Sequence, residues 1–219
     1  MKVMVLLGAP GAGKGTAAEG IKEATRCHHI STGDLLREAV KQGSPVGREA
    51  EAYMKRGELV PDDIIIRMVE QQFEDSKQDD LFLLDGFPRT LPQAELLDRG
   101  LDRRGYRVGY VFSLEAPRDV LMQRLTGRRI CKQCGANYHV TNMPPRKAGL
   151  CDRCGGVLYQ RPDDQEATIA TRLDVFQKQI EGLLAHYQRQ GVLHGLDSGR
   201  AKEETVASIM QVLEGRRQP

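Results

Sequence analysis

Val3-Met4-Val5-Leu6-Leu7-Gly8-Ala9-Pro10-Gly11-Ala12-Gly13-Lys14-Gly15-Thr16 is the stretch that decides the fold. Its five leading apolar residues show no polar alternation, so they predict a short strand covered on both faces, as in a parallel sheet. The glycine-rich segment 8–16 then turns the chain into a helix predicted over about 15–24. Glycines allow several backbone N–H groups to face one phosphate, and the dipole of the helix N-terminus favours the same anion. Lys14 supplies a cation for the β and γ phosphates. One departure matters. The usual loop of this kind carries Ser or Thr directly after the Lys, whereas here Gly15 intervenes before Thr16, and a hydroxyl ligand to Mg²⁺ at that position is missing.

Working outward, apolar runs predict further buried strands over 81–84, 110–114 and 192–196. Between them Leu91, Ala94, Leu97 and Leu101 have helical spacing over 91–104, and Val206, Ile209, Met210 and Leu213 have it after the last strand. Strands alternating with helices imply a three-layer α/β fold around a parallel sheet with right-handed crossovers. Two stretches break the alternation. Residues 31–60 hold helix-like segments cut by Gly43, Pro45 and Gly57, with no convincing strand. Residues 127–164 are rich in Gly, Pro, Cys and basic residues, and interrupt a helical region that resumes near Asp163. Both read as excursions from one core.

The chain of 219 residues is one large domain, or one domain with insertions, and its 40% hydrophobic content suffices for a sizeable core. A net charge of +2, no Trp, 6 Tyr and 5 Phe argue against a dedicated nucleic-acid binder, which needs basic excess and aromatic platforms. No apolar run approaches a membrane span. Met1 to Ala9 has the outline of a short signal peptide, but cleavage there would destroy the phosphate loop. Five cysteines, an odd number in a chain of ordinary size, fit a reducing compartment, and the cytoplasm is the expectation.

Asp85 ends the second apolar run beside the loop, where a carboxylate can hold Mg²⁺ or its water shell. Phe87-Pro88-Arg89 continues that turn, and Arg89 has the planar fork that matches a phosphate. Cys131, Cys134, Cys151 and Cys154 form two C-x-x-C pairs, each followed by glycine (Gly135, Gly155), a spacing that suits tetrahedral Zn²⁺. Four thiolates close the coordination sphere, so such a metal is structural; two disulfides or a redox pair are the other reading. Cys27 reads as a small buried hydrophobe, and His28, His29 and His139 as histidines without a metal. Arg128, Arg129, Lys132, Arg146, Lys147, Arg153 and Arg161 outweigh Asp152, Asp163 and Asp164 in 127–164, as expected of a flap that closes over polyanions.

Taken in order, residues 8–16, Ser31-Thr32-Gly33-Asp34, Asp85-Gly86-Phe87-Pro88-Arg89, Gly127-Arg128-Arg129 and Arg161-Pro162-Asp163-Asp164 resemble adenylate kinases over nearly the whole chain. The four cysteines resemble those of the long bacterial form, whose lid holds zinc. The resemblance implies a P-loop fold with a central parallel five-stranded sheet, comprising a core (1–30, 61–126 and 165–219), a small helical AMP-binding insertion (31–60) and a zinc-ribbon-like lid (127–164). It implies that Gly11, Ala12, Gly13, Lys14, Gly15 and Thr16 bind the ATP phosphates, with Arg124, Arg128, Asn137, Tyr138 and Arg200 also on the ATP side. Thr32, Arg37, Glu58, Leu59, Val60, Gly86, Phe87, Pro88, Arg89 and Gln93 would receive AMP, and Arg161 and Arg172 would close on AMP and the transferring group. Lys14, Arg89, Arg128, Arg161, Arg172 and Asp85 are then the catalytic set.

The implied reaction is ATP + AMP ⇌ 2 ADP with Mg²⁺, by a base-free route: no general base stands out, and a phosphate monoester is mostly dianionic at pH 7. Asp163 and Asp164 are expected to orient arginines. The expected partners are ATP, AMP and ADP, with no nucleic acid, no membrane and a monomeric chain. A UMP or CMP kinase is the rival within the class, disfavoured by Thr32 and Gln93. A P-loop protein whose zinc knuckle binds nucleic acid is the rival outside it.

Overall fold

The computed structural model describes residues 2–74, 81–199 and 201–215. Its main sheet has five parallel strands: β1 (Lys2–Gly8), β2 (His28–Ser31), β3 (Phe82–Asp85), β4 (Arg107–Glu115) and β8 (Leu193–Asp197), in the spatial order β2-β3-β1-β4-β8. Alternate side chains of β1 explain why its sequence is apolar throughout. Val3, Val5 and Leu7 join one buried cluster, while Met4 and Leu6 join the other on the opposite face.

Helices cover both faces. Ile64, Ile65 and Val69 of α4 (Asp62–Gln71), Ala94, Leu97 and Leu101 of α5 (Leu91–Asp102), and Ile180, Leu183 and Tyr187 of α7 (Glu166–Arg189) pack in the first cluster. Ala17, Ala18 and Ile21 of α1 (Lys14–Thr25), Leu121 and Leu125 of α6 (Arg118–Thr126), and Ile209 and Leu213 of α8 (Lys202–Gly215) pack in the second. No described helix is long and apolar enough to cross a membrane.

The four strands read from apolar runs are present with ends shifted by a few residues. The run-based reading has no counterpart to β2. That edge strand buries only Ile30, leaves His28 exposed, and so lacks the continuous apolar signature of its neighbours.

The excursion after β2 consists of α2 (Thr32–Lys41) and α3 (Pro45–Arg56). Each begins on a serine whose hydroxyl accepts a backbone N–H of the first turn: Ser31 from Asp34 N (3.3 Å) and Ser44 from Gly47 N (3.0 Å). The second excursion, after α6, is a three-stranded antiparallel sheet of β5 (Arg128–Cys131), β6 (Asn137–His139) and β7 (Leu158–Tyr159), in the order β6-β5-β7. A 3₁₀ turn, Pro162–Asp164, returns the chain to α7.

Candidate functional site

Because all five strands are parallel, their C-terminal ends share one rim, where the glycine loop after β1 and the Asp85–Arg89 turn after β3 lie side by side. The loop leaving β1 is held by glycines at positive φ, Gly8 (146°), Gly11 (84°) and Gly13 (89°), a region that other residues rarely adopt. Lys14 opens α1, and its Nζ donates to Gly8 O (2.8 Å) and Ala9 O (3.1 Å). Gly13 and Gly15 face open space, while Ala12 is buried.

Register places Asp85, at the end of β3, opposite Leu6 on one side and Ser31 on the other. His29 Nε2 lies 3.6 Å from Asp85 Oδ2. Beyond Asp85, Thr32 Oγ1 donates to Gly86 O (2.9 Å), and Arg89 Nε donates to the same carbonyl (2.7 Å). The Phe87–Pro88 peptide in this turn is cis.

A cleft of about 610 Å³, open to solvent, lies between α2, α3 and this turn. Thr32, Arg37, Glu58, Leu59, Val60, Gly86, Arg89, Gln93 and Arg172 all line it, as the sequence reading expects of an acceptor site. Three expected residues do not line it. Phe87 is buried in the core against α4 and α5, Pro88 is buried, and Arg161 stands outside the lining set. Leu36, Met54 and Ile65 line the cleft without having been singled out, and Gly33, Gly57 and Asp163, noted in the sequence for other reasons, line it too. Leu36 and Ile65 occupy helical apolar positions, and sequence alone cannot tell such a wall from core.

The arginines meet around two carboxylates. Asp164, fully buried, accepts from Arg128 Nε (2.8 Å) and Nη2 (2.5 Å) and from Arg172 Nη1 (3.2 Å). Asp163 Oδ2 lies 3.1 Å from Arg172 Nη1. Both aspartates thus pair with arginines singled out in the sequence. Arg161 keeps a buried Nε with no hydrogen-bond partner among the described residues.

On the far side of the loop, Arg124 Nη2 donates to Gly199 O (3.4 Å). Arg200, the next residue, lies outside the described residues. Asn137 is exposed on β6, but Tyr138 beside it is buried. The Tyr138 hydroxyl accepts from Asp152 N (2.7 Å) and lies 3.4 Å from Cys151 Sγ. Its side chain therefore belongs to the cysteine cluster.

That cluster has two matching knuckles. Gly135 N donates to Cys131 O (3.1 Å) and Gly155 N to Cys151 O (2.8 Å), and both glycines sit at positive φ (71° and 72°). All four Sγ atoms lie within 4.8 Å of one another, with Cys131–Cys154 at 3.4 Å and Cys134–Cys151 at 3.6 Å. A tetrahedron with Zn–S bonds of about 2.3 Å has edges of about 3.8 Å, so the donor set fits that ion. The cysteines are free thiols, far beyond the roughly 2.0 Å of a disulfide bond. Cys27 is buried apart from them. His139 is satisfied: Nδ1 accepts from Thr141 N (3.1 Å), which leaves Nε2 to donate to Gln123 O (3.1 Å).

Comparison with known proteins points to one family. The family model described as Adenylate kinase matches residues 6–192. The chain is 50% identical to an adenylate kinase of Moorella thermoacetica, over 96% of this chain and 97% of the relative. It is 49% identical to those of a Geobacillus species (97% and 98% covered) and of Carboxydothermus hydrogenoformans (96% and 99%). The chain belongs to the adenylate kinase family. It is accordingly a nucleoside monophosphate kinase, an enzyme of the transferase class that binds nucleotides.

The electrostatics of the kinase's rim follow from crowding cations in a partly dry cleft. Loss of hydration pulls Lys14 from 10.5 down to about 8, against the attraction of Asp85; Arg89, Arg172 and Arg128 add to the depression. Arg161 is drawn down to about 10, first by burial and then by Arg37 and Arg128, and stays charged at neutral pH. Burial raises Asp163, but Arg172, Arg161 and Arg128 outweigh it and hold the carboxyl below its usual range. In the cluster, the Tyr138 hydroxyl is the main cause that brings the Cys151 thiol down to about 6.

Proposed function

We infer that the protein transfers the terminal phosphoryl group of ATP to AMP, reversibly, giving two ADP. The observation that carries this reading is the convergence of Lys14, Arg89, Arg128 and Arg172, within one another's electrostatic reach, between the glycine loop and the acceptor cleft. A site with such an excess of fixed positive charge suits a transition state whose charge is spread over phosphoryl oxygens.

In this reading the N–H groups of residues 11–16 hold the ATP phosphates and Lys14 neutralises the β and γ oxygens. Arg124 and Arg200, with Asn137 and the backbone at Tyr138, complete the ATP side. Thr32, Arg37, residues 58–60, Gly86, Arg89 and Gln93 receive AMP, while Phe87 and Pro88 shape the turn from within the core. Arg128, Arg161 and Arg172 converge on the group in transfer, oriented by Asp163 and Asp164. Mg²⁺ bound with ATP would neutralise phosphate charge, with Asp85 holding its water shell. No proton acceptor is needed, because the acceptor phosphate arrives as a dianion. The chain divides into a core (1–30, 61–126, 165–219), an AMP-binding part (31–60) and a lid (127–164), whose closure excludes water.

Zinc, held by Cys131, Cys134, Cys151 and Cys154, is structural in this reading, since four thiolates leave no position for substrate. The enzyme acts as a monomer in the cytoplasm, whose reducing conditions keep its five cysteines from pairing as disulfides.

The test is a coupled assay of ADP formation from MgATP with AMP, CMP, UMP and GMP as acceptors. AMP is expected to be used far more efficiently than the others. Absence of AMP-dependent ADP formation, or equal use of AMP and UMP, overturns the reading.

A further inference from the structure

Gln93 is 2% exposed, yet it lines the acceptor cleft. Both ends of its amide are engaged by protein. Oε1 accepts from Arg89 N at 2.7 Å, and Nε2 donates to Asp62 Oδ1 at 2.6 Å. The other carboxylate oxygen, Oδ2, lies 3.4 Å from Thr90 Oγ1, which donates to it, and Thr90 caps α5 by accepting from Gln93 N (3.3 Å).

These partners fix which way the amide faces. A backbone N–H can only donate and a carboxylate can only accept, so reversing the amide would set N–H against N–H at Arg89 and oxygen against oxygen at Asp62. An amide has two donors and two lone pairs, and one of each remains free. The free pair is therefore presented in a fixed order, acceptor on the Arg89 side and donor on the Asp62 side.

We propose that Asp62 is a positioning residue that locks the amide of Gln93, and that this lock makes the acceptor site read a 6-aminopurine and reject a 6-oxopurine. A 6-aminopurine offers a donor (the amino group) beside an acceptor (N1), while a 6-oxopurine offers an acceptor beside a donor. A freely turning amide satisfies either edge. A locked one satisfies a single edge and leaves polar atoms unpaired against the other, which is the stronger source of discrimination. The proposal rests on the reading that Gln93 meets the acceptor base.

The experiment compares kcat/KM for AMP and for inosine monophosphate, at saturating MgATP, in the wild type, Asp62→Ala, Asp62→Ser, Asp62→Asn and Gln93→Ala. Serine is favoured at helix starts but too short to reach Gln93, so it serves as a second loss variant if alanine fails to fold. Asparagine can still accept from Gln93 while its own amide donates to Thr90, so it is the conservative rescue.

The AMP preference is expected to fall about tenfold in the alanine or serine variant, the loss of one well-made hydrogen bond. The change should lie in the acceptor KM, with the KM for ATP unmoved and the asparagine variant close to wild type. An unchanged preference in the folded loss variants, with Gln93→Ala abolishing it, overturns the role of Asp62 alone. An unchanged preference in Gln93→Ala overturns the reading of Gln93 itself. An equal fall in the asparagine variant also refutes the lock, since the acceptor oxygen is then retained without effect.

Discussion

Replacing Asp164 by asparagine keeps the shape of the side chain and removes its charge from between Arg128 and Arg172. The carboxylate is fully buried and accepts from both arginines, in a two-pronged contact with Arg128. Breaking a buried ion pair from one side costs about 3–5 kcal/mol. Here the arginine side chains are 20% and 18% exposed, so water relieves part of that cost, and we expect about 2–3 kcal/mol. For a chain of this size each kcal/mol moves the melting point by about 2–4 °C, which gives a fall of about 4–12 °C. Thermal unfolding followed by circular dichroism measures this directly. Turnover should fall at least tenfold, because two cations assigned to the phosphoryl group lose the partner that aims them. An unchanged melting point with unchanged kcat would refute the account of this clasp. A lower melting point with full turnover would reduce Asp164 to a structural tie and refute its role in aiming the arginines.

Lys14→Ala should leave the circular dichroism spectrum intact and lower kcat by orders of magnitude; retention of a tenth of wild-type turnover or more contradicts the assigned role. In the wild type, Lys14 is charged below about pH 8 and neutral above it, so kcat/KM should fall as pH rises through that value. Bound phosphates restore the charged form, so the same limb in kcat should lie at higher pH, and coincident limbs would refute the assignment. The purified, reduced protein should contain about one zinc per chain by metal analysis, and alanine at Cys131, Cys134, Cys151 or Cys154 should lower the melting point while Cys27→Ala leaves metal content unchanged. Metal-free protein, with Cys27→Ala as damaging as the other four, would overturn the metal site.

Much of this site could be read from the chain alone because phosphate chemistry constrains neighbours in sequence. Residues 8–16 and 85–89 are each one turn after a strand, and their glycines, lysine and arginine announce the ligand locally. The matching cysteine knuckles are legible for the same reason. What escaped was built across the fold. Asp62 and Gln93 are thirty-one positions apart and meet only because α4 and α5 pack side by side. The side chain of Tyr138 carries no mark of its second task, the support of Cys151. Gly57 and Met54 look like an ordinary helix end until α3 is set against the cleft they help to line.

The bonds from Lys14 to Gly8 O and Ala9 O give the glycine loop its own internal counterweight. Glycine-rich segments lose the most conformational freedom on ordering, and an untethered one would charge that entropy to every nucleotide that arrived. With the ammonium tied back across the loop, the ordering is settled when the chain folds. Arriving phosphate then exchanges for carbonyl oxygens at a cation already in place. The loop therefore meets ATP and ADP with the same preformed order, and neither direction of the reaction has to fold it anew.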